Sequence, residues 1–373
     1  MLIDRNEFSG IDDVVHLSAG GESPLLQSHQ NAFLRFMDHK SKGERARDLI
    51  TDTLQQTRLQ CAELFHVSDS DLTFVPSASD GINIVARGLD WQQGDNVVLA
   101  DVEFGAGAFP WTALADQGVE IKIVRHRDWK ISLQDIEAAI DERTRVVSIS
   151  HVSMFSGQRL PLKPLSDLVR RHNAALVLDA THSAGVMDVD AALTDIMVSS
   201  CYKWLLGTHG AAIFYWNRDT LPNLKAPFPG WNSAATIGGW KDPLQFSLHE
   251  DANRFMSGNP AFLSLYLLNN ALETLLPLGQ KSIEQHALKL SGRLHAGISQ
   301  MNYTLMTPED ENQRAGNICI MSDRIESLTH SLRDQNILVW GAYGSDARLR
   351  ISTHVYNSEA DVDACLAALQ RLQ

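Results

Sequence analysis

The 373-residue sequence lacks a basic surplus, because 45 acidic residues outweigh 32 basic ones and the formal net charge is −13. Nucleic acids and anionic membranes attract basic surfaces, so we expect neither as a partner. No apolar run approaches the roughly 18 residues of a membrane span, and charged residues interrupt the first eight positions, where a signal peptide needs an apolar core. These absences favour a cytoplasmic protein.

Cysteine is scarce, and two common phosphate motifs are missing. The four cysteines are scattered without paired spacing, so we expect buried thiols, no disulfide framework and no zinc or other metal site. Neither a G-x-G-x-x-G turn nor a G-x-x-x-x-G-K-[ST] loop occurs in the chain. Any phosphate group must therefore be held in another way.

What the sequence does contain is a regular alternation of strand-like and helix-like segments. A helical pattern over residues 31–66 precedes it, and helix-like segments such as 133–140 and 165–172 separate the strands. This order predicts an α/β fold around a mostly parallel sheet. The predicted strands are 72–75, 96–100, 121–124, 146–150, 176–178, 196–199 and 211–215.

The chain is long enough for a large domain and a smaller one. Residues 222–243 are rich in Pro, Gly, Trp and Asn, and their apolar residues show neither helical nor strand periodicity, which indicates a long functional loop. Helices at 261–276 and 282–298 and strands at 318–321, 337–340 and 349–352 follow. We therefore expect an N-terminal arm and substrate-site segment (1–30), a large α/β domain (31–245) and a small C-terminal α+β domain (246–373).

Lys203 and Asp179 follow neighbouring apolar runs that are predicted as buried strands. A lysine amine can form a Schiff base with the aldehyde of pyridoxal 5′-phosphate (PLP), and a carboxylate can keep the PLP ring nitrogen protonated. The alternative is an exposed lysine and an aspartate that caps a strand end. Together the two residues favour a PLP site.

The segment 73–83 follows a strand and opens a helix, and it contains small hydroxyl residues, Ser77 and Ser79. Free N–H groups and the dipole at a helix N-terminus suit a phosphate monoester. Two alternatives stay open: a serine that only caps its own helix, and a turn that binds a nucleotide phosphate in a nucleotide-dependent α/β enzyme.

Taken in their order along the chain, the motifs resemble those of the class V aminotransferase family of fold-type I PLP-dependent enzymes. The family contains cysteine desulfurases, kynureninases and isopenicillin N epimerase-like proteins. The resemblance implies the fold-type I architecture, with a mostly parallel seven-stranded sheet in the large domain, a smaller α+β C-terminal domain, and a homodimer with shared active sites. It covers nearly the whole chain through the segments 77–83, 103–104, 150–157, 179–182, 200–203, 254–260 and 350–357.

The resemblance assigns expected roles to single residues. The catalytic residues are Lys203, Asp179 and His182, and His182 would bind the cofactor's ring hydroxyl. Besides these three, the expected cofactor-binding residues are Ser77, Ala78, Ser79, Phe104, Ser153, Ser200 and Asn259. Phe104 would stack on the ring, although a phenylalanine that belongs to the core is the alternative.

Arg350 is expected to hold the substrate carboxylate through two parallel hydrogen bonds, with Arg348 as a rival two positions away. Trp231, Asn232 and Trp240 on the long loop are expected to shape the substrate pocket. The alternative for the tryptophans is that they anchor the loop by burial.

The chain departs from the cysteine desulfurase pattern. Desulfurases carry a nucleophilic cysteine shortly before the carboxylate-binding arginine, but residues 337–348 contain none, and Cys319 lies in a strand-like run. Phe104 replaces a histidine, Met154 a frequent asparagine and Asn259 a frequent threonine. The missing cysteine and Phe104 argue against a desulfurase. Phe104 and His182, which stands in place of a frequent glutamine, resemble isopenicillin N epimerase-like and kynureninase-like members.

The resemblance predicts an enzyme that acts on an amino acid or related amine. Lys203 would act as the base at the substrate Cα and yield a quinonoid intermediate over Asp179. The fate of the proton then decides between transamination, racemisation and loss of a side-chain group. We expect an aminotransferase or C–S lyase, with an amino-acid epimerase or racemase as the alternative and a non-catalytic PLP-fold binding protein as the alternative of another class.

Overall fold

The computed structural model describes residues 1–237, 244–342 and 347–373. The N-terminal part forms a two-residue strand, β1 (Val15–His16), and two helices, α1 (His29–Lys40) and α2 (Ala46–Phe65). No helix within the described ranges combines the length and the apolar character that a bilayer crossing requires.

The centre of the fold is a seven-stranded sheet. Its strands are β2 (Leu72–Val75), β3 (Asn96–Ala100), β4 (Glu120–Val124), β5 (Thr144–Ser150), β6 (Ala175–Asp179), β7 (Ile196–Ser200) and β8 (Ala212–Trp216). They lie in the spatial order β2-β8-β7-β6-β5-β3-β4. Only β8 runs against its neighbours, so the predicted mostly parallel seven-stranded sheet is confirmed.

Four helices connect these strands: α3 (Ala78–Gly88), α4 (Gly105–Thr112), α5 (Leu133–Ala139) and α6 (Leu162–Arg171). Separate apolar clusters cover the two faces of the sheet, which is why β3 and β8 are buried throughout and, apart from Asn96 at the start of β3, consist of apolar and aromatic residues. The carboxyl ends of β5, β6 and β7 meet at one edge, as parallel strands require, and polar residues follow the strands there.

The C-terminal part begins with a hairpin of β9 (Ala234–Ile237) and β10 (Phe246–Leu248), followed by α7 (Phe262–Leu275) and α8 (Gln280–Ile298). A second sheet, antiparallel and in the order β11-β12-β15-β14, has its own apolar cluster with α8 and α10. The remaining elements are β11 (Thr304–Leu305), β12 (Asn317–Met321), α9 (Ile325–Arg333), β13 (Ile337–Leu338), β14 (Trp340–Ala342), β15 (Arg348–Ser352) and α10 (Glu359–Arg371).

Two segments differ from the sequence prediction. Residues 337–340 were expected as one strand, but β13 pairs in parallel with β1 and β14 pairs with β15, because the N-terminal segment lies against this part of the chain. The expected loop 222–243 contains β9, whose pairing with β10 is a contact that no local pattern reveals. Trp240 lies outside the described residues.

Candidate active site

A cavity of about 260 Å³ opens at the edge where β5, β6 and β7 end. Eight residues with a predicted cofactor role line this cavity: Ser77, Ala78, Ser79, Phe104, Asp179, His182, Ser200 and Lys203. The cavity is also lined by four residues to which the sequence analysis assigns no individual role: Ser150, Thr181, Tyr202 and His209. The structure therefore brings together residues that lie more than 120 positions apart.

Lys203 follows β7, and its amine points to a histidine. The distance between Lys203 Nζ and His182 Nε2 is 3.0 Å. Burial and the charge of Arg350 lower the pKa of Lys203 to about 8, although Asp179 and Glu22 partly oppose this shift. A lysine with this pKa is neutral in about a tenth of the molecules near pH 7, far more than a lysine with its ordinary pKa, and the neutral amine is the form that attacks an aldehyde.

Asp179 is the last residue of β6. One of its carboxylate oxygens accepts a hydrogen bond of 2.8 Å from the backbone N–H of Thr181. Burial raises the pKa of Asp179, while the hydrogen bonds from Thr181 and the charge of Lys203 act in the opposite direction. A buried carboxyl group of this kind gains stability from a nearby cationic N–H donor, such as a protonated pyridine ring.

A second buried carboxyl group, Glu103, supports the wall of the cavity. Its two oxygens accept hydrogen bonds of 2.9 Å from the backbone N–H of Ser150 and 2.6 Å from the Ser150 hydroxyl. Burial raises the pKa of Glu103 to about 8. These bonds fix the end of β5 beside Phe104, which precedes α4 and lines the cavity.

The opposite end of the cavity is the start of α3. Ser77 caps this helix: its hydroxyl accepts from the backbone N–H of Asp80 at 3.2 Å and donates to the Asp80 carboxylate at 2.6 Å. The hydroxyl therefore has the capping role, but the first N–H groups of the helix have no partner within it and lie at the cavity wall. An anion can bind at this helix end.

Arg350 lies on β15, and its side chain is only 3% exposed. Its Nη2 donates to the backbone oxygen of Gly20 at 2.9 Å, and its Nη1 donates to that of Met154 at 3.4 Å. Its Nε has no hydrogen-bond partner in the described part of the chain. Burial lowers the pKa of Arg350 to about 10.

Arg348 is also buried, but its guanidinium lies 4.0 Å from the ring centroid of Phe155. Because Met154 lines the cavity and contacts Arg350, the geometry favours Arg350 over Arg348 as the carboxylate-binding arginine.

Five described residues with predicted roles do not line this cavity: Arg350, which reaches only the backbone of its lining residue Met154, and the four that follow. The hydroxyl of Ser153 accepts from the backbone N–H groups of Phe155 and Ser156, and so it stabilises a turn. Asn259 lines a second cavity of about 420 Å³, on the other side of the α3 N-terminus, and accepts from Arg47 at 3.0 Å. Asn232 donates to the backbone oxygen of Gly258, and Trp231 is half-exposed.

None of the four cysteines is suited to be a nucleophile. Burial raises the pKa of Cys319 to about 11 and that of Cys201 and Cys365 to about 12, and it also raises the pKa of Cys61 well above its usual value. The reactive form of cysteine is the thiolate, which these environments disfavour. Within the described ranges, no group of three or more His, Cys, Asp or Glu side chains is arranged to hold a metal ion.

These residues fit PLP. Asp179 offers a buried acceptor for the ring nitrogen, Lys203 an amine for the aldehyde, and the α3 N-terminus a place for the phosphate. The Arg350 Nε, buried without a partner in the described part of the chain, is a donor available to a substrate carboxylate. Asp179, Lys203 and the α3 N-terminus line one cavity.

Comparison with known proteins gives the same assignment. The family model for class-V aminotransferases matches residues 24–365. An uncharacterized aminotransferase of Schizosaccharomyces pombe is 26% identical, over 97% of this chain and 91% of the relative. A probable cysteine desulfurase of Methanothermobacter thermautotrophicus is 24% identical, over 99% of this chain and 97% of the relative.

Among solved structures, the cystine C–S lyase C-DES has a similar fold. The structure of its mutant with glycine covalently linked to the PLP cofactor gives a TM-score of 0.90 at 23% sequence identity, and the match covers 99% of both chains.

Proposed function

This chain belongs to the class-V aminotransferase family and is a PLP-dependent enzyme, and we propose that it removes the α-proton of an amino acid, with C–S lyase chemistry favoured. The observation that carries this proposal is the position of the Lys203 amine, 3.0 Å from His182 Nε2 in the cavity that Asp179 lines. When bound, PLP withdraws electrons from the bonds at the substrate Cα, so that the Cα proton leaves more easily.

The roles of the protein side chains follow from their positions. Lys203 holds the cofactor covalently and, when an incoming amine releases it, takes the Cα proton as a neutral base. Asp179 keeps the ring nitrogen protonated, and His182 donates a hydrogen bond to the ring oxygen. Arg350 holds the substrate carboxylate and so fixes which Cα bond faces the base.

Tyr202 and His209 support the choice of a lyase. Their rings stack with centroids 4.1 Å apart and line the same cavity as Lys203. His209 Nε2 also lies 3.3 Å from a carboxylate oxygen of Glu22. In an elimination a sulfur group departs as a thiolate or persulfide anion, and a hydrogen-bond donor beside it stabilises that charge; these two side chains supply such a donor.

The absence of a cysteine from residues 337–348 and the raised pKa values of all four cysteines separate this proposal from a desulfurase. A lyase can release sulfur from a substrate such as cystine without an enzyme thiol, and the similar protein C-DES is named a cystine C–S lyase with cysteine persulfide as its reaction product. Transamination is the second candidate, because the chain is similar to an aminotransferase over 97% of its length.

The test is an incubation of the purified holoenzyme with a panel of amino acids. The proposal predicts sulfide or persulfide, keto acid and ammonia from a sulfur-containing amino acid without an added keto acid. A keto acid that forms only with a second keto acid present identifies a transaminase. Loss of optical rotation alone identifies an epimerase, and a PLP-bound protein that changes no substrate identifies a non-catalytic binding protein. In each case Lys203→Ala is the control.

The proposal includes a homodimer. The 420 Å³ cavity is lined by Asp80 and Asn83 of α3, by Asn259, and by the half-exposed Phe228. Trp231, also half-exposed, lies beside Arg47, which contacts Asn259. A cavity next to the phosphate turn that combines polar residues with exposed aromatic side chains suits a segment of a second copy. Light scattering after gel filtration tests this part, and Trp231→Glu with Phe228→Glu should shift a dimer to a monomer.

We also propose a cytoplasmic location, which the four unpaired, buried cysteines support because such thiols persist in reducing compartments. Fractionation of the source cells with a marker of each compartment tests it.

A further inference from the structure

An asparagine of the small sheet contacts the active-site histidine. Asn317 is the first residue of β12 and fully buried, and its Nδ2 lies 3.1 Å from His182 Nδ1. The other ring nitrogen of His182 faces the Lys203 amine. A single imidazole therefore joins a residue of the second sheet to the lysine, although 135 positions separate Asn317 from His182.

The orientation of the Asn317 amide is set from the other side. Ser352 lies opposite Asn317 in the pairing of β12 with β15, and its hydroxyl donates to Asn317 Oδ1 at 2.7 Å. With the oxygen turned to Ser352, the amide nitrogen faces the histidine. An amide nitrogen only donates, so His182 Nδ1 must accept, and the proton of the neutral imidazole lies on Nε2.

The imidazole is held in its neutral form and in one orientation. Burial and the positive charges of Lys203, Arg350 and Arg348 lower the pKa of His182 well below its usual value. The edge of the Trp204 ring packs against the imidazole, with centroids 5.2 Å apart and an angle of 70° between the planes. The ring therefore has a fixed plane and one tautomer.

Two glycines lie against Asn317 and Ser352. Gly157 has φ +72°, and a Cβ there would lie 2.5 Å from the backbone oxygen of Asn317. A Cβ at Gly20 would lie 2.7 Å from the Ser352 hydroxyl and 2.8 Å from Asn317 Oδ1. Two loops of the chain thus approach the Ser352 and Asn317 pair at distances that only glycine permits.

We propose that Asn317 is a positioning residue that fixes His182 in the tautomer with its proton on Nε2, so that the histidine is a hydrogen-bond donor toward the neutral Lys203 amine and toward the cofactor oxygen. This inference rests on the proposed PLP site for the identity of the oxygen, but the tautomer itself does not depend on any reaction. The opposite arrangement has the amide reversed, the proton on Nδ1, and a histidine that accepts from a Lys203 ammonium group.

The test is nitrogen NMR of the PLP-loaded enzyme with ¹⁵N-labelled histidine. His182→Gln identifies the His182 signals by their loss. The proposal predicts a protonated Nε2 and an unprotonated, hydrogen-bonded Nδ1 at neutral pH. A proton on Nδ1 in the wild-type protein would overturn it, and this outcome is independent of whether the enzyme proves to be a lyase, a transaminase or inactive.

Asn317→Asp is the decisive variant, because it has nearly the same shape and its carboxylate only accepts. The proton should move to Nδ1, and kcat should fall roughly tenfold or more. Asn269→Asp is the control: Asn269 is also buried but contacts Gln60 and Arg35, so the His182 signals should stay unchanged. Unchanged His182 signals in Asn317→Asp would refute the proposal.

Ser352→Ala keeps the test informative if Asn317→Asp does not fold. This variant removes the donor that orients the amide, so part of the population should carry the proton on Nδ1. The pH at which the visible absorbance of the bound cofactor titrates should also shift. The other charged groups that influence this titration are Lys203, Arg350, Arg348 and Asp179. A Ser352→Ala protein with a wild-type tautomer and wild-type absorbance titration contradicts the proposal.

Discussion

Arg350 on the last strand of the second sheet donates a 2.9 Å hydrogen bond from Nη2 to the backbone oxygen of Gly20 in the N-terminal segment. Ser18 and Leu17 of the same segment pair with Ser352, next to the end of that strand. Residues 17–20 therefore contact both the end of this strand and the Arg350 guanidinium. The same guanidinium donates to the backbone oxygen of Met154, which lines the cavity, so the N-terminal segment and the second sheet approach the cavity together.

Arg350→Lys should raise KM for the amino-acid substrate about 10- to 100-fold, because a lysine loses the paired N–H donors that hold a carboxylate. Arg348→Lys, the matched control two positions away, should change KM little, since the Arg348 guanidinium lies over Phe155. Steady-state kinetics of both variants check this prediction. A larger effect on KM in Arg348→Lys would assign the carboxylate to the other arginine.

Asp179→Asn should lower kcat about 100-fold or more while the protein still binds PLP, because a neutral amide cannot keep the ring nitrogen protonated. Asp179→Glu should retain more activity than Asp179→Asn. Cofactor content and turnover are measured on the same samples. If Asp179→Asn keeps near wild-type kcat, the ring nitrogen is not the partner of this carboxylate.

The pKa of Lys203, lowered to about 8 by burial, predicts how the cofactor-free protein takes up PLP. Below this pKa the amine is an ammonium ion without a lone pair, so the rate of uptake should rise with pH and level off above about 8. Stopped-flow absorbance at several pH values measures the rate. A rate that continues to rise to pH 10 would mean that the lysine has its ordinary pKa.

Three histidines with lowered pKa values, on β1, on α8 and just after β15, predict acid sensitivity. Burial lowers the pKa of His16 to about 4 and that of His354 to about 3, and it also lowers the pKa of His286. The unfolded chain takes up these protons near pH 6.5 and the folded chain does not, so the free energy of unfolding should fall as pH falls from 6.5 toward 4.

Thermal unfolding across that pH range measures the effect. His16→Asn, which removes one titrating group beside Tyr356, should flatten the dependence of Tm on pH. A dependence as steep as in the wild-type protein would show that His16 does not contribute.

The sequence predicted the sheet and much of the site because both depend on local patterns. Apolar runs that end in polar residues place Asp179 and Lys203 at one edge of a parallel sheet. Ser77 caps the helix that follows the predicted phosphate turn. The division into domains at residues 30 and 245 stays a prediction.

The remaining features arise from contacts between distant segments. The Asn317 side chain contacts His182, 135 positions away, and Arg350 donates a hydrogen bond to Gly20, 330 positions away. Neither contact can be predicted from the spacing of residues along the chain. No motif in the sequence distinguishes Tyr202 and His209, and only the structure shows that their rings stack in the cavity. Residues 337–340 form two strands for the same reason, because the distant strand β1 pairs only with Ile337–Leu338.

The most direct test of the account asks which residue carries the cofactor. The purified protein is loaded with PLP, the covalent link is reduced with borohydride, and the digested peptides are identified by mass spectrometry. We predict the reduced cofactor on the peptide that contains Lys203, and its loss in Lys203→Arg. A label on a different lysine, or a wild-type protein that takes up no PLP, would contradict the account.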